Sequence, residues 1–279
     1  MPETILQVKG LCYAYEAGRQ ALQDISFDIR QGERIAVLGT NGAGKSTFFL
    51  CLNGVLEPQE GQILLHGKPD GRSRNGLREH VGIVFQNADD QMIASTVLAE
   101  ISFGPMNLRL PLPEVERRVD MAVRAMDLDD YRNRPPHYLS GGEKKRVSIA
   151  DIIAMEPEVI LFDEPAASLD PAGTEMLEQL LDNLSAAGKT LMIATHDMDF
   201  AFRWASRVLV FSQGRVIADG QPLTVFQKET IIRQANLRQP AMLTVFQSLC
   251  AHGLLPEGLP CPRTPAALDI LLGTLPVGR

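Results

Sequence analysis

The chain has 279 residues, 45% of them hydrophobic and 22% charged, enough for one large globular domain or a large domain with a small appendage. Lys and Arg number 27 against 34 for Asp and Glu, a formal net charge of −7 with the signs interspersed, so the basic stripe of a nucleic-acid binder is missing. No run approaches the roughly 18 consecutive apolar residues of a membrane span, and Met1-Pro2-Glu3-Thr4 lacks the basic flank and apolar run of a secretory signal, which predicts a soluble, cytoplasmic chain.

Residues 5 to 30 alternate as two antiparallel strands, Ile5 to Tyr15 and Ala21 to Ile29, with Glu16-Ala17-Gly18-Arg19 as the turn. Tyr13 and Tyr15 lie in this layer, where either is an ordinary strand aromatic or a ring that stacks on a base.

Ile35-Ala36-Val37-Leu38 then leads through GTNGAGKST, Gly39 to Thr47, into Phe48-Phe49-Leu50-Cys51-Leu52, the order strand, glycine-rich loop, helix. A polyphosphate concentrates negative charge that many donors must meet at close range. Gly42 and Gly44 let consecutive backbone N–H groups approach it. The helix starting near Lys45 adds its positive end, Lys45 reaches the β- and γ-phosphates, and the Ser46 hydroxyl is placed for Mg²⁺. Cys51 on that helix reads as core, and Cys12, Cys250 and Cys261 form no CxxC pair with it.

Gln62 to Leu65 and His80 to Phe85 read as strands around a loop from Gly67 to Gly76, and Gln86 follows directly on the second, its carbonyl available to a metal. From Thr96 to about Met155 the spacing turns helical, punctuated at Pro111, Pro113 and Pro135-Pro136: a helical insert between two parts of a sheet domain. Inside it, Leu139-Ser140-Gly141-Gly142-Glu143-Lys144-Lys145-Arg146 opens another helix with a glycine turn, a second anion site rather than a plain cap.

Val159-Ile160-Leu161-Phe162 ends at Asp163-Glu164, two adjacent carboxylates at the carboxyl end of a buried strand, where an open α/β sheet builds its site. Asp163 suits the Mg²⁺ shell, and Glu164 can orient and polarise a water. A helix follows Ser168-Leu169-Asp170-Pro171. Leu191 to Thr195 is a further buried strand ending at His196, in the same crevice, and Val208 to Phe211 with Arg215 to Ala218 form a closing hairpin. Residues 222 to 279 read as short amphipathic helices.

With the phosphate loop, Gln86, LSGGEKKR, Asp163-Glu164, Ser168-Leu169-Asp170 and His196 in this order, the chain resembles the nucleotide-binding subunit of ABC transporters over about residues 5 to 220. The resemblance implies a P-loop NTPase of α/β class with a RecA-like core, an antiparallel β subdomain and a helical subdomain at about 87–155, all within 1–221, and a small C-terminal accessory region at 222–279. It implies ATP and Mg²⁺ as ligands. Gly39, Asn41, Gly42, Ala43, Gly44, Lys45, Ser46 and Thr47 match its Walker A motif, Asp163 the Walker B aspartate, Glu164 the catalytic base and Gln86 the Q-loop glutamine that touches Mg²⁺. Ser140, Gly141 and Gly142 match the signature motif, Asp170 the D-loop acid, His196 the switch histidine and Tyr15 the adenine-stacking aromatic. Thr40, Ala166 and Ser168 depart from the family's usual residues, and none of them removes a reacting group.

Two such subunits pair head to tail, so Ser140 and Gly142 of one complete the γ-phosphate site at Lys45 of the other; a homodimer is expected. The stretch Val84 to Leu108 is similar to that of energy-coupling-factor (ECF) importers. Lys144-Lys145 and Gly104-Pro105 tilt the resemblance toward their cobalt/nickel branch and away from the vitamin-coupled branch. It implies a transmembrane coupling protein docked near Gln86, a membrane substrate-binding protein, and a peripheral place on the cytoplasmic face of the cell membrane. A soluble ABC-type protein acting on ribosomes or DNA is the rival of another class. Five histidines without paired spacing offer the transported metal no cage on this chain.

Overall fold

Strand β1 (Thr4–Ala14) pairs antiparallel with β2 (Gln20–Arg30), and along β2 Leu22, Ile25, Phe27 and Ile29 are buried, the one-sided alternation of a half-covered sheet. β3 (Arg34–Leu38) is apolar from Ile35 onward and feeds the loop that opens α1 (Lys45–Leu52). The computed structural model describes residues 3–16, 18–69, 74–167, 169–256 and 258–274.

Next come β4 (Glu60–Leu65), the short β5 (Lys68–Pro69), α2 (Arg74–His80) and β6 (Val81–Val84). The expected loop from Gly67 to Gly76 is therefore partly helical at its end. Its Asn75-Gly76 dipeptide signals a turn, but Leu77 is buried against the core and Arg78 bonds the Gly54 carbonyl at 3.2 Å, tertiary contacts that local sequence does not carry. Residues 70–73 lie outside the described chain.

The helical insert consists of α3 (Val97–Asn107), α4 (Leu112–Ala125) and α5 (Gly141–Ala154). Thr96 caps α3, its Oγ1 accepting from Ala99 N at 3.2 Å. At Gly104 a Cβ would lie 2.6 Å from Met155 Cγ, so glycine permits the close contact of α3 with the end of α5. The remaining elements are β7 (Val159–Asp163), α6 (Pro171–Ala186), β8 (Thr190–Ala194), α7 (Met198–Trp204), β9 (Arg207–Ser212), β10 (Arg215–Gly220), α8 (Pro222–Phe226), α9 (Glu229–Gln234), α10 (Ala241–Ala251) and α11 (Pro265–Thr274).

Two sheets result, one of four strands in the order β2-β1-β4-β5 and one of six in the order β10-β9-β3-β8-β7-β6. In the larger sheet β9, β3, β8, β7 and β6 are mutually parallel and β10 is an antiparallel edge. Its parallel strands are buried on both faces, which is why they read as mostly apolar runs, whereas the edge strand β10 is exposed or half-buried along its length. Ile35, Val37, Val159 and Leu161 face a core shared with α1 and the smaller sheet, whereas Ala36, Leu38, Ile160 and Phe162 face a core shared with the helical insert. Phe48 of α1 lies between Phe27 and Phe211, 5.3 Å from each ring centre, and ties the two sheets together. Val225, Phe226, Ala235 and Leu243 belong to the insert-side core, so the accessory region packs on the same hydrophobic interior as the sheet. The carboxyl ends of β3, β6, β7 and β8 all open to one side, the side on which such a sheet builds its site.

Candidate active site

The loop after β3 is shaped by two glycines that nothing else replaces. Gly39 has φ 149° and Gly44 φ 108°, and a Cβ at either would meet a backbone carbonyl, that of Phe211 at 2.4 Å or Ala21 at 2.7 Å. Gly44 is the cap of α1 and supplies no side-chain acceptor, so first-turn N–H groups stay available to a ligand. Lys45 is buried, and its Nζ donates to the carbonyls of Gly39 at 2.7 Å and Thr40 at 3.3 Å. Burial pushes this ammonium below its ordinary pKa, while the Glu164 and Asp163 charges oppose the shift.

A cavity of about 440 Å³ opens over this loop, lined by Asn41, Gly42, Gly44, Lys45, Ser46 and Thr47, with Tyr15 on the rim. Ala43 turns away from it, buried, its N–H on Thr40 O at 3.1 Å. The Tyr15 hydroxyl and Thr47 Oγ1 are 3.1 Å apart, and Tyr13 packs edge-on against Tyr15 at 5.1 Å without lining the cavity. Tyr15 thus faces the phosphate loop, and Tyr13 packs behind it.

Across the cavity stand Gln86, Asp163, Glu164 and His196. β7 delivers both carboxylates into near-complete burial. Glu164 sits at φ 45°, a left-handed backbone that costs a β-carbon residue about 1 kcal/mol or more, and is held there by its N–H on Ala194 O at 2.9 Å. His196 Nδ1 and Glu164 Oε2 are 2.9 Å apart; the imidazole is 81% exposed and the carboxylate 11%. A carboxylate buried beside a histidine that reaches solvent is a general-base arrangement with an orienting partner.

The donors that Mg²⁺ requires are present as hard oxygens: the Asp163 carboxylate, the Ser46 hydroxyl and the Gln86 amide line the same cavity. No cluster of three or more His, Cys, Asp or Glu among the described residues makes a metal cage. That suits an ion bound through a single carboxylate and the substrate's own phosphates. The residues present fit the ion. His66 and His80, unpaired in sequence, do meet on one carboxylate, Glu158, at 3.0 and 2.5 Å.

Two residues, one in the cavity wall and one behind it, escaped the sequence reading. Arg19, read as part of a turn, lines the cavity beside Gly42. Lys145 of α5 is fully buried, and its Nζ donates to Phe85 O at 2.6 Å and Gln86 O at 3.0 Å, tying the helical insert to the segment that carries Gln86. Burial pushes its pKa down to about 8 against the opposing pull of Asp163 and Glu164. The available signal was a lysine on the face of α5 that also carries Ile149, Ile152 and Ile153, since a cation on an apolar stripe needs a partner.

Ser140, Gly141, Gly142 and Asp170 do not line this cavity. Ser140 and Glu143 form a capping box at the start of α5, Ser140 N donating to Glu143 Oε2 at 2.7 Å and Glu143 N to Ser140 Oγ at 3.3 Å. The serine is thus both a cap and an exposed group. Asp170 caps α6 by accepting from Gly173 N at 2.7 Å, and Ser168 lies outside the described residues.

Residues 22–167 match the ABC transporter family model. The chain belongs to the ABC transporter family. It is 47% identical over 267 residues to the cobalt import ATP-binding protein CbiO of Rhodobacter capsulatus, covering 95% of each chain. It is 46% identical over 248 residues to the energy-coupling factor transporter ATP-binding protein EcfA of Methanocaldococcus jannaschii, covering 88% of this chain and 89% of that one. Among solved structures it resembles cbiO1 from Clostridium perfringens, part of the ABC transporter complex cbiONQ, with TM-score 0.72 and 42% identity over 88% of this chain and 99% of that one. The family's ABC ATPase fold, with its mixed sheet, antiparallel layer and helical insert, is the fold described above, and the protein is an ATP-binding ATPase of that family. No helix among the described residues is long and apolar enough to cross a membrane.

Proposed function

We propose that this ABC ATPase powers an ECF-type importer of a transition-metal ion, Co²⁺ or Ni²⁺, from the cytoplasmic face of the cell membrane. The observation that carries the hydrolytic part is the Glu164–His196 hydrogen bond across one cavity from Lys45. Glu164 takes the proton of the attacking water, His196 holds that carboxylate and supports the γ-phosphate, and Lys45 with the α1 N-terminus meets phosphate charge. Tyr15 receives the adenine. Mg²⁺, held by Ser46, Gln86 and Asp163, supplies charge neutralisation between the phosphates.

Ser140, Gly142 and Asp170 are exposed or half-buried outside this cavity, which supports a head-to-tail pair in which they complete the partner's site. Ile93, Phe103 and Met106, 70, 50 and 61% exposed in the segment after Gln86 and on α3, support docking of a transmembrane coupling protein there. One curated relative carries a cobalt-import name, which supports the metal branch, and the substrate itself is received by a separate membrane protein.

Glu164→Gln keeps ATP affinity within about twofold and lowers turnover about 100-fold or more. Unchanged turnover overturns the assignment. In vesicles carrying the whole membrane complex, ATP-driven Co²⁺ or Ni²⁺ accumulation that stops with this variant supports the substrate class, and accumulation of a vitamin in its place overturns it.

A further inference from the structure

The helix that follows His196 is held at both ends by the C-terminal region. Asp197 caps α7 from within, accepting from Phe200 N at 2.9 Å. Asp199, in the first turn, faces outward, and its Oδ1 accepts the Ala241 N–H at 2.7 Å. Ala241 begins α10, whose own cap position is Pro240, with no side-chain acceptor to offer. One end of α7 thus satisfies the start of a helix from the accessory region.

At the other end, Arg263, between α10 and α11, donates from Nε to Phe202 O at 2.5 Å and from Nη2 to Ala205 O. Its guanidinium also lies 5.6 Å over the Phe202 ring. The last carbonyls of a helix lack intrahelical partners and carry its negative end, so a cation matches them in geometry and in charge. Burial, with Arg34 close by, depresses the Arg263 pKa, so holding the charge there works against desolvation. Arg203 of α7 pairs with Glu178 of α6, the helix that Asp170 caps.

The His196 side chain is 81% exposed, so packing does little to orient it and its direction follows the backbone that leads into α7. We propose that residues 222–274 act on ATP hydrolysis through α7, with Asp199 and Arg263 as positioning residues that fix this helix and thereby the His196–Glu164 hydrogen bond. The proposal rests on the hydrolytic reading of Glu164 and His196. Ordering at the C-terminal helices, by a second subunit or by another protein, then reaches the reacting water without contact with nucleotide.

The test uses the full-length protein with Arg263→Ala, Arg263→Lys and Asp199→Ala, the last of which removes the acceptor of the Ala241 N–H. Arg263→Ala lowers kcat about 5- to 50-fold while the Kd for ATP stays within twofold, and Arg263→Lys, which keeps a charged donor, restores part of the loss. The NMR resonances of the His196 ring in the nucleotide-free protein move toward those of Glu164→Gln in both Arg263→Ala and Asp199→Ala. Unchanged kcat and unchanged His196 ring resonances in folded Asp199→Ala and Arg263→Ala overturn the proposal, even if both unfold at lower temperature. Should Arg263→Ala fail to fold, Asp199→Ala, a change at an exposed side chain, decides alone. Wild-type turnover that disappears in Glu164→Gln yet persists in the clamp variants removes this inference and leaves the hydrolytic reading standing, whereas turnover that survives Glu164→Gln removes both.

Discussion

Two helices of this protein open on glycine, and they open differently. The start of α1 has Gly44 at its cap with no side-chain acceptor, a buried lysine behind it, and a cavity in front of it. The start of α5 has Ser140 and Glu143 already satisfying each other's backbone, on an exposed surface with no share in that cavity. An uncapped helix end in a pocket is a binding site on its own. A capped end on the surface holds its shape without ligand and offers only a serine hydroxyl and a few N–H groups to something that arrives already bound elsewhere.

The sharpest way to break this contrast is at Lys45. Lys45→Ala removes the charged donor from the α1 side, and ATP affinity of the isolated chain falls about 100-fold, read by titration with a fluorescent nucleotide. A loss of less than about threefold would mean the cavity over α1 is not the primary phosphate site.

How far such a difference is legible in sequence depends on how local its cause is. The strands that end at Leu38, Asp163 and Ala194 were readable because a parallel strand buried on both faces must be apolar throughout. The phosphate loop was readable because its glycines answer to backbone geometry within a few residues. The capping box at Ser140 and Glu143 has the sequence signature of its type, and it coexists with the anion-site reading of the double glycine beside it. Arg19, Lys145 and Arg263 were missed because each is placed by the fold and not by its neighbours in sequence: Arg19 in the cavity wall with Gly42, Lys145 on the Gln86 carbonyl and Arg263 on the end of α7. A lysine in a helix looks solvated until the fold shows what lies beneath it.

Ser140→Ala tests the other half of the comparison with a smaller effect. Loss of the cap costs about 1 kcal/mol of stability, measured by denaturant unfolding, while ATP affinity of the single chain stays within about twofold because this helix start has no part in that pocket. Nucleotide-driven pairing of the Glu164→Gln background, followed by light scattering, weakens. If single-chain affinity falls as much as pairing does, the two helix starts share one site and the distinction between them is wrong.

The effect confined to alkaline pH belongs to Lys145, the residue that joins the two regions. Its pKa is pushed down to about 8 from 10.5 by burial, so between those values the unfolded chain holds a proton that the folded chain has released. Stability rises with pH wherever the unfolded state binds more protons. The wild type therefore gains stability relative to Lys145→Met as pH climbs from about 8 toward 10.5, by at most about 3 kcal/mol, a change visible in paired urea titrations. Over the same window the neutral amine loses the charge-assisted part of its bonds to the Phe85 and Gln86 carbonyls. The link between α5 and the Gln86 segment therefore loosens as the fold as a whole is relieved of a buried charge. A stability difference that stays flat, or falls, across this range would place the ammonium in water instead of beneath the helix, and the mechanical tie between the surface serine and the cavity would have to run through another residue.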